Sequence, residues 1–401
     1  MMGKDKLIRI CDGVVEGSFY AILAAVTFSI SLVEIACVIM ILAWAVKKIL
    51  ARDFKSLDSV PARLLALFLL WTLFSCRNSA YFSESFRGVF KLVKYALIFM
   101  AAADGLRDDR IVKRALYVIA AVAGVTCLNG LFQYFSGFDL IRHRHLIDLD
   151  YLRRISSSFV HPNSFGIYLM MVSLVLLSWL MSGYKRAVSW FWIAGSFALS
   201  ILCLVLTKSR GAWLSFLAAF LVLGVIRSKR TAGLFLVIVL CVSGALIYMF
   251  PDRLRGLTDL KAGTTEERIM LWEGTINMIK EHPVLGFGVN TYSRIFPKYK
   301  PADYPDVRYS HNCYLQMASE IGIPGALLFI SFLASVLVCS FRGFTGRERG
   351  RKEYLAMGLF AALAGFAMDC LVDTGLYSVN LAVFFYLLAG FCFAITRRVE
   401  K

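Results

Sequence analysis

The chain has 401 residues, of which 59% are hydrophobic and only 18% are charged. Ordinary soluble domains are about half apolar and about a quarter charged, so this composition excludes a soluble globular protein. The formal net charge of +17 could suggest nucleic acid, but in a membrane protein it first reports topology, because cationic loops stay in the cytoplasm. We expect no nucleic-acid partner. The ten cysteines include no CxxC pair, which predicts neither a disulfide framework nor a metal site.

Twelve apolar segments are predicted to cross a membrane, since a bilayer core requires roughly 20 apolar residues per helix. They are 14–29, 31–47, 61–76, 86–104, 111–136, 161–182, 187–206, 211–227, 231–250, 319–341, 353–373 and 376–396. An even number of spans puts both termini on one side, where every connecting segment is basic. The positive-inside rule assigns that side to the cytoplasm. The sequence therefore predicts an all-α polytopic membrane protein with a single transmembrane domain over residues 1–401.

Two segments on the opposite, outer side are long, 137–160 and 251–310, the second between spans nine and ten. Both carry many cations, although cations outside the cytoplasm oppose the topology signal. An anionic substrate on that face would justify them. The candidate substrate-binding cations in and near these segments are Arg142, Arg144, Arg153, Arg154 and Lys208. Contact with the head groups of membrane lipid is the alternative, which we prefer for at least two of the four arginines.

The segment 251–310 contains a predicted amphipathic helix that lies on or beside the membrane. Thr264 and Glu267 have the spacing of a capping box, which opens a helix. The helix should end before His282, because the residue ahead of a proline avoids the α region. Four apolar residues share one face at helical spacing: Ile269, Trp272, Ile276 and Ile279.

A further predicted helix opens at Ser310-His311-Asn312 and is interrupted at Gly322-x-Pro324-Gly325. The positive end of the helix dipole disfavours a second positive charge near its first turn. The His311 imidazole should therefore stay largely neutral at pH 7, as a general base requires. The alternative is that His311 only helps to cap its helix or lies at the membrane interface.

Two arginines stand where their surroundings disfavour a positive charge. Arg210, in the tight turn 207–211, follows an apolar span at its outer end, where the positive-inside rule predicts no arginine. Arg268 lies in the first turn of its helix, against the dipole. Guanidinium groups suit bidentate binding of phosphate oxygens. The alternatives are a snorkelling helix anchor for Arg210 and a solvated helix face for Arg268.

Two other clusters on the outer face are open to more than one interpretation. His161 precedes Pro162-Asn163, and proline and asparagine are ordinary start signals of a helix. We interpret His161 as mainly structural, while it and Asn163 remain candidates for substrate contact. Asp148-x-Asp150 has a spacing that could hold a divalent metal. Arginines and histidines lie close to it in the sequence, so we favour no metal.

Four clusters, in this order, resemble the O-antigen ligase and polymerase family of bacterial envelope enzymes. They are Phe159-x-His161-Pro162-Asn163, Ser209-Arg210-Gly211, Glu267-Arg268 with Trp272, and Ser310-His311-Asn312. The resemblance implies a C-type glycosyltransferase-like fold in the bacterial inner membrane, with both termini cytoplasmic and the active site facing the periplasm. It implies a donor glycan linked to undecaprenyl diphosphate, and neither metal nor cofactor. Arginines matching Arg210 and Arg268 would hold the diphosphate, and His311 would activate the acceptor hydroxyl, with Asn312 and Trp272 as further substrate-binding candidates.

Within this family two activities compete. A ligase moves the glycan onto the lipid A-core of lipopolysaccharide, whereas a polymerase moves it onto another lipid-linked repeat unit. The single sizeable outer loop after span nine, together with the clusters at Arg210 and His311, favours the ligase. Attachment of glycan to protein is a rarer third activity. A transporter or flippase would concentrate ionisable groups and broken helices near the bilayer midplane, and the few charges within these spans disfavour it.

Overall fold

The computed structural model describes residues 3–54, 58–106, 108–145, 153–183, 187–251, 264–301, 304–345 and 350–397. The possible metal pair Asp148 and Asp150 lies outside the described residues, and so does much of the first part of segment 251–310.

The described residues form fourteen α-helices and one two-stranded ribbon. The first nine helices are α1 (Lys4–Ala25), α2 (Ile30–Ala51), α3 (Val60–Ser75), α4 (Phe82–Gly105), α5 (Asp109–Ser136), α6 (Pro162–Leu180), α7 (Ala187–Leu206), α8 (Arg210–Arg227) and α9 (Lys229–Met249). The last five are α10 (Thr264–Glu281), α11 (Tyr292–Ile295), α12 (Cys313–Thr345), α13 (Arg351–Asp369) and α14 (Val379–Thr396). Strand β1 (Phe138–Asp139) pairs antiparallel with β2 (Arg144–His145).

Each of the twelve predicted spans overlaps one of the long helices. Within the described ranges, nine helices are long and apolar enough to cross a membrane: α2, α3, α5, α6, α7, α8, α9, α12 and α14. The other three, α1, α4 and α13, carry more charged residues. The prediction of an all-α polytopic membrane protein is confirmed.

Helix α14 is the most deeply buried of the spans. It is hydrophobic all round, as a helix inside a bundle must be, and nearly all of its residues are buried. It packs closely against α4 at Gly390, where an added Cβ would lie 2.4 Å from the backbone oxygen of Phe99. By contrast, Phe235 is the one residue of α9 that is buried in the described structure. The bundle therefore has α14 inside and α9 at its periphery.

Charged side chains mark both ends of the bundle. At the end where α4 stops and α5 begins, acids and bases pair at short distance. Lys48 Nζ lies 2.8 Å from Asp104 Oδ1, and Lys352 Nζ lies 2.6 Å from Asp109 Oδ1. The predicted site residues lie at the opposite end, where α6, α8 and α12 begin and α13 stops.

Helix α12 is broken near its start, as the run Gly322-x-Pro324-Gly325 predicts. Gly322 has φ 76° and ψ 166°, and an added Cβ would lie 1.8 Å from the carbonyl oxygen of Val284. Only glycine fits such a position. The Ile323 amide donates to the Pro283 carbonyl at 2.8 Å, while the Trp71 indole donates to the Ile321 carbonyl at 2.9 Å. The break therefore joins the segment after α10 to the bundle.

Helix α10 ends before His282, as predicted, and the residues that it buries against the protein differ from those of the predicted apolar face. Leu271 and Met278 are buried in a cluster with Tyr292 and Phe296, whereas Ile276 is 39% exposed. The buried stripe is rotated from the predicted one because aromatic side chains from the following segment cover it. Hydropathy along the helix could not show which face those side chains would choose.

Candidate active site

The site is organised around Asp373, which lies in the loop between α13 and α14. Its Oδ2 accepts a hydrogen bond from Asn163 Nδ2 at 2.8 Å and lies 3.8 Å from Arg268 Nη2. Its Oδ1 accepts one from the Thr374 amide at 2.8 Å and lies 3.5 Å from His311 Nδ1. One carboxylate therefore brings together two residues, Arg268 and His311, that the sequence predicted from separate segments.

His311 lies just ahead of α12 rather than inside its first turn. Its φ of 54° is left-handed, a conformation that a residue with a side chain adopts at some cost and that is common at functional sites. The adjacent Asn312 caps the helix, because its Oδ1 accepts hydrogen bonds from the amides of Tyr314 and Leu315, both at 3.0 Å. This capping contact accounts for Asn312 structurally, and the imidazole of the preceding His311 is 40% exposed.

The charge of Asp373 follows from its neighbours. Burial alone would raise the pKa of its carboxyl, but the neighbouring imidazole of His311 and the charge of Arg268 outweigh burial and lower the pKa of Asp373. The carboxylate is thus ionised at neutral pH. An ionised carboxylate facing Nδ1 of a histidine fixes the ring orientation and favours the tautomer whose Nε2 can accept a proton.

The two candidate phosphate-binding arginines both lie at the first turn of α10. Arg268 belongs to that turn, and Arg210 Nη2 lies 3.2 Å from Thr265 Oγ1, three positions earlier. Helix α8 comes close to the end of α13, because a Cβ on Gly211 would lie 3.2 Å from Asp369 Oδ1. The beginnings of α8 and α10 and the end of α13 therefore meet, and each arginine is positioned by one of the two helix starts.

Arg154 and Asn163 extend the network around Asp373. Arg154 donates from Nε to the Thr207 carbonyl at 2.9 Å and from Nη2 to Asn163 Oδ1 at 2.6 Å. Asn163 in turn donates to Asp373. These two residues, both predicted to contact substrate, thus also hold the carboxylate in place.

A cavity of about 1160 Å³ opens beside these residues. It is larger than the pockets that hold drug-sized ligands, which are about 300–1000 Å³. The predicted site residues that line it are Arg142, Arg144, Arg153, Arg154, His161, Asn163 and His311. The structure therefore gathers most of the cations of segment 137–160 and the two histidine clusters around one space.

Other predicted site residues lie outside the cavity wall. Lys208 has φ 50° in the turn before α8, and its Nζ lies 5.8 Å from the ring centroid of Phe250. Trp272 packs on the apolar cluster between α10 and α11, and its indole nitrogen is buried without a hydrogen-bond partner in the described part of the chain. Arg268 meets the edge of the cavity through Asp373.

Four further cations that line the cavity, and the central carboxylate, were not among the predicted site residues. The cations are Arg87, Lys91, Arg294 and Arg308. Arg87 and Lys91 are four residues apart on α4, so their shared face was visible in the sequence. Asp373 was assigned to the outer end of span 353–373. An acidic residue in an apolar stretch indicates a functional site, and that signal could have identified it.

Comparison with known proteins bears on the same residues. A family model described as O-antigen ligase matches residues 195–330. The match runs from α7 to beyond the break in α12 and includes Arg210, Arg268 and His311. No curated protein matches the chain. The match supports the resemblance to the O-antigen ligase family that the sequence motifs indicate, whose members are glycosyltransferase-like ligases and polymerases.

Proposed function

We propose that the chain transfers a glycan from undecaprenyl diphosphate to the lipid A-core of lipopolysaccharide at the periplasmic face of the inner membrane. The family match supports transfer of the ligase or polymerase type. The observation that carries the proposal is the contact of Arg268 and His311 with the two oxygens of Asp373. This contact puts a phosphate-binding cation and a candidate base beside one cavity.

The diphosphate of the donor would bind at Arg210 and Arg268, next to the first turn of α10. Guanidinium groups bind phosphate oxygens through paired hydrogen bonds. Two fixed positive charges also stabilise the negative charge that develops on the diphosphate as it leaves. Because diphosphate is already a good leaving group, the proposed reaction requires neither an acid nor a metal ion to activate it.

His311 would take the proton from the acceptor hydroxyl. Its Nδ1 faces the ionised Asp373, which leaves Nε2 as the basic atom. The hydroxyl oxygen then forms the new glycosidic bond as the bond from the anomeric carbon to the diphosphate oxygen breaks. Attack from the face opposite the diphosphate, in a single displacement, inverts the configuration of that carbon.

A reconstituted transfer assay tests the proposal. Purified protein in detergent receives undecaprenyl-diphosphate glycan, lipid A-core and a metal chelator. A gel shift of the lipid A-core is the expected product. Longer lipid-linked chains without glycosylated lipid A-core would instead establish a polymerase, which uses the same donor. A reaction that begins only after a divalent ion is restored would contradict the metal-free mechanism and direct attention to Asp148 and Asp150.

A further inference from the structure

The segments that carry His311 and Asp373 make a second contact farther along. Tyr309 packs against Tyr377, with ring centroids 5.9 Å apart. The paired segments 309–311 and 373–377 therefore touch at two places, which we call the Asp373 end and the Tyr377 end. Arg268 contacts the Asp373 end. At the Tyr377 end, the tyrosine hydroxyl lies 3.4 Å from Glu320 Oε2. Both tyrosines and Glu320 line the same cavity as His311.

Glu320 has a buried carboxyl group whose hydrogen-bond distances are long. It is 2% exposed. Its Oε1 lies 3.4 Å from the Tyr292 amide and 3.3 Å from Gln316 Nε2, and its Oε2 lies 3.4 Å from the Tyr377 hydroxyl. Good hydrogen bonds are about 2.7–3.2 Å long. Among the described residues Glu320 forms no ion pair, and the cation at this end of the paired segments is Arg308, whose guanidinium lies 5.5 Å from the ring centroid of Tyr309.

Asn380, at the start of α14, adds an unpaired acceptor to the same cavity. Its Nδ2 donates to the Val26 carbonyl at 2.7 Å, and this bond fixes which way the amide points. Its Oδ1 is buried and has no hydrogen-bond partner in the part of the chain that the structure describes. Asn380 is only 7% exposed and lines the cavity. A buried acceptor without a partner is costly and uncommon, and a ligand hydroxyl would satisfy it.

We propose that Tyr309, Tyr377, Glu320 and Asn380 form the subsite for the acceptor sugar, and that this sugar is a pyranose. Tyrosine rings bury large apolar faces while keeping a polar tip, which suits the C–H faces of a pyranose. Carboxylate and amide oxygens accept hydrogen bonds from its hydroxyls.

This inference rests on the proposed function, and the chemistry of the proposed transfer agrees with an acceptor sugar bound at these residues. In an inverting displacement the attacking hydroxyl and the departing diphosphate lie on opposite sides of the anomeric carbon. With the diphosphate at the Asp373 end of the paired segments, the acceptor would approach from the Tyr377 end. His311 contacts Asp373 and lines the same cavity, so it would meet the acceptor hydroxyl there.

A binding experiment tests the subsite without relying on turnover. The full-length protein, in a detergent without a sugar head group, is titrated with purified lipid A-core, and with lipid A that lacks the core sugars as the matched ligand. Tyr309→Ala should weaken binding of lipid A-core by about ten-fold, the loss expected for one stacked ring, and leave binding of lipid A unchanged. Tyr309→Phe keeps the ring and should bind as the wild type does. Equal losses for both ligands, or no loss, would overturn the subsite.

A kinetic experiment then separates the acceptor from the donor. In the transfer assay Tyr309→Ala should raise KM for the acceptor and leave KM for the donor unchanged, and Glu320→Gln, which keeps the side-chain shape, should act in the same direction. A rise in donor KM alone would mean that the donor's own sugar occupies these residues, and would overturn the proposal. A wild-type protein that binds lipid A-core through Tyr309 but forms no product would refute the proposed transfer while the subsite stands.

Discussion

His311 Nδ1 lies 3.5 Å from Asp373 Oδ1, although the two residues belong to different helix connections. The distance is longer than a good hydrogen bond. In proteins without bound substrate, catalytic hydrogen bonds are often long and shorten when the substrate binds. The left-handed backbone of His311 and the capping role of Asn312 hold the imidazole toward this carboxylate. The pair has the arrangement of a general base and the carboxylate that orients its ring.

Replacing His311 by alanine should nearly abolish transfer and leave binding of the donor largely intact. General-base groups contribute about 10²–10⁴-fold to rate, and a loss in this range is expected in kcat. Donor binding is measured separately, with labelled undecaprenyl-diphosphate glycan. His282→Ala is the matched control, because His282 lies after α10 and does not line the cavity. A fully active His311→Ala variant would exclude His311 as the base.

Replacing Asp373 by asparagine should lower kcat with little change in donor KM, because the isosteric amide no longer favours the required tautomer of His311. We expect a loss of about 10²-fold or more, within the range of general-base catalysis. Glutamate at this position restores the charge but displaces it, so partial rescue by Asp373→Glu is expected. Equal kcat values for the wild type and Asp373→Asn would refute the orienting role.

The Asp373 substitution also gives a pH test. The carboxyl has a folded-state pKa below its ordinary value of 3.8, so it stabilises the folded state above about pH 4, and this contribution is lost as pH falls through the folded-state pKa. The difference in melting temperature between the wild type and Asp373→Asn should therefore be largest at neutral pH and shrink on acidification. A difference that instead grows toward low pH would contradict the lowered pKa.

Arg210→Ala and Arg268→Ala should each weaken donor binding as well as turnover. Lysine substitutions keep the charge but lose the paired hydrogen bonds to phosphate, so they should recover only part of the affinity. Arg63→Ala is a suitable control, since Arg63 is exposed at the start of α3. Normal donor binding and turnover in either alanine variant would refute the diphosphate assignment for that residue.

The two arginines differ in one respect that a double substitution can measure. Arg268 contacts Asp373, whereas Arg210 is placed against Thr265. Residues in one contact network show non-additive effects. Arg268→Ala combined with Asp373→Asn should therefore cost less than the sum of the two single losses in activity. Strict additivity of these two substitutions would indicate that the Arg268–Asp373 contact does not contribute to turnover.

The long helices of this protein could be predicted from the sequence, because a span is determined by its own hydropathy and length. The C-terminal end of α10 was also predictable, since a proline acts locally. The buried face of α10 was not, because Tyr292 and Phe296 select it from another segment. Asp373 was missed for a related reason. Its importance comes from Asn163, Arg268 and His311, which only the packing of four separate segments brings together.

The break in α12 gives a final prediction, on stability rather than chemistry. Gly322→Ala should destabilise the protein strongly, because the new Cβ would lie 1.8 Å from the Val284 carbonyl oxygen and because a left-handed φ of 76° strains any side chain by about 1 kcal/mol or more. The segment after α10 would lose its packing contact with α12, so the melting temperature and transfer activity should fall together. Gly233→Ala on α9, where an added Cβ meets nothing within 4 Å, is the control and should be neutral or slightly stabilising. Equal melting temperatures for the two variants would show that the break does not hold this segment in place.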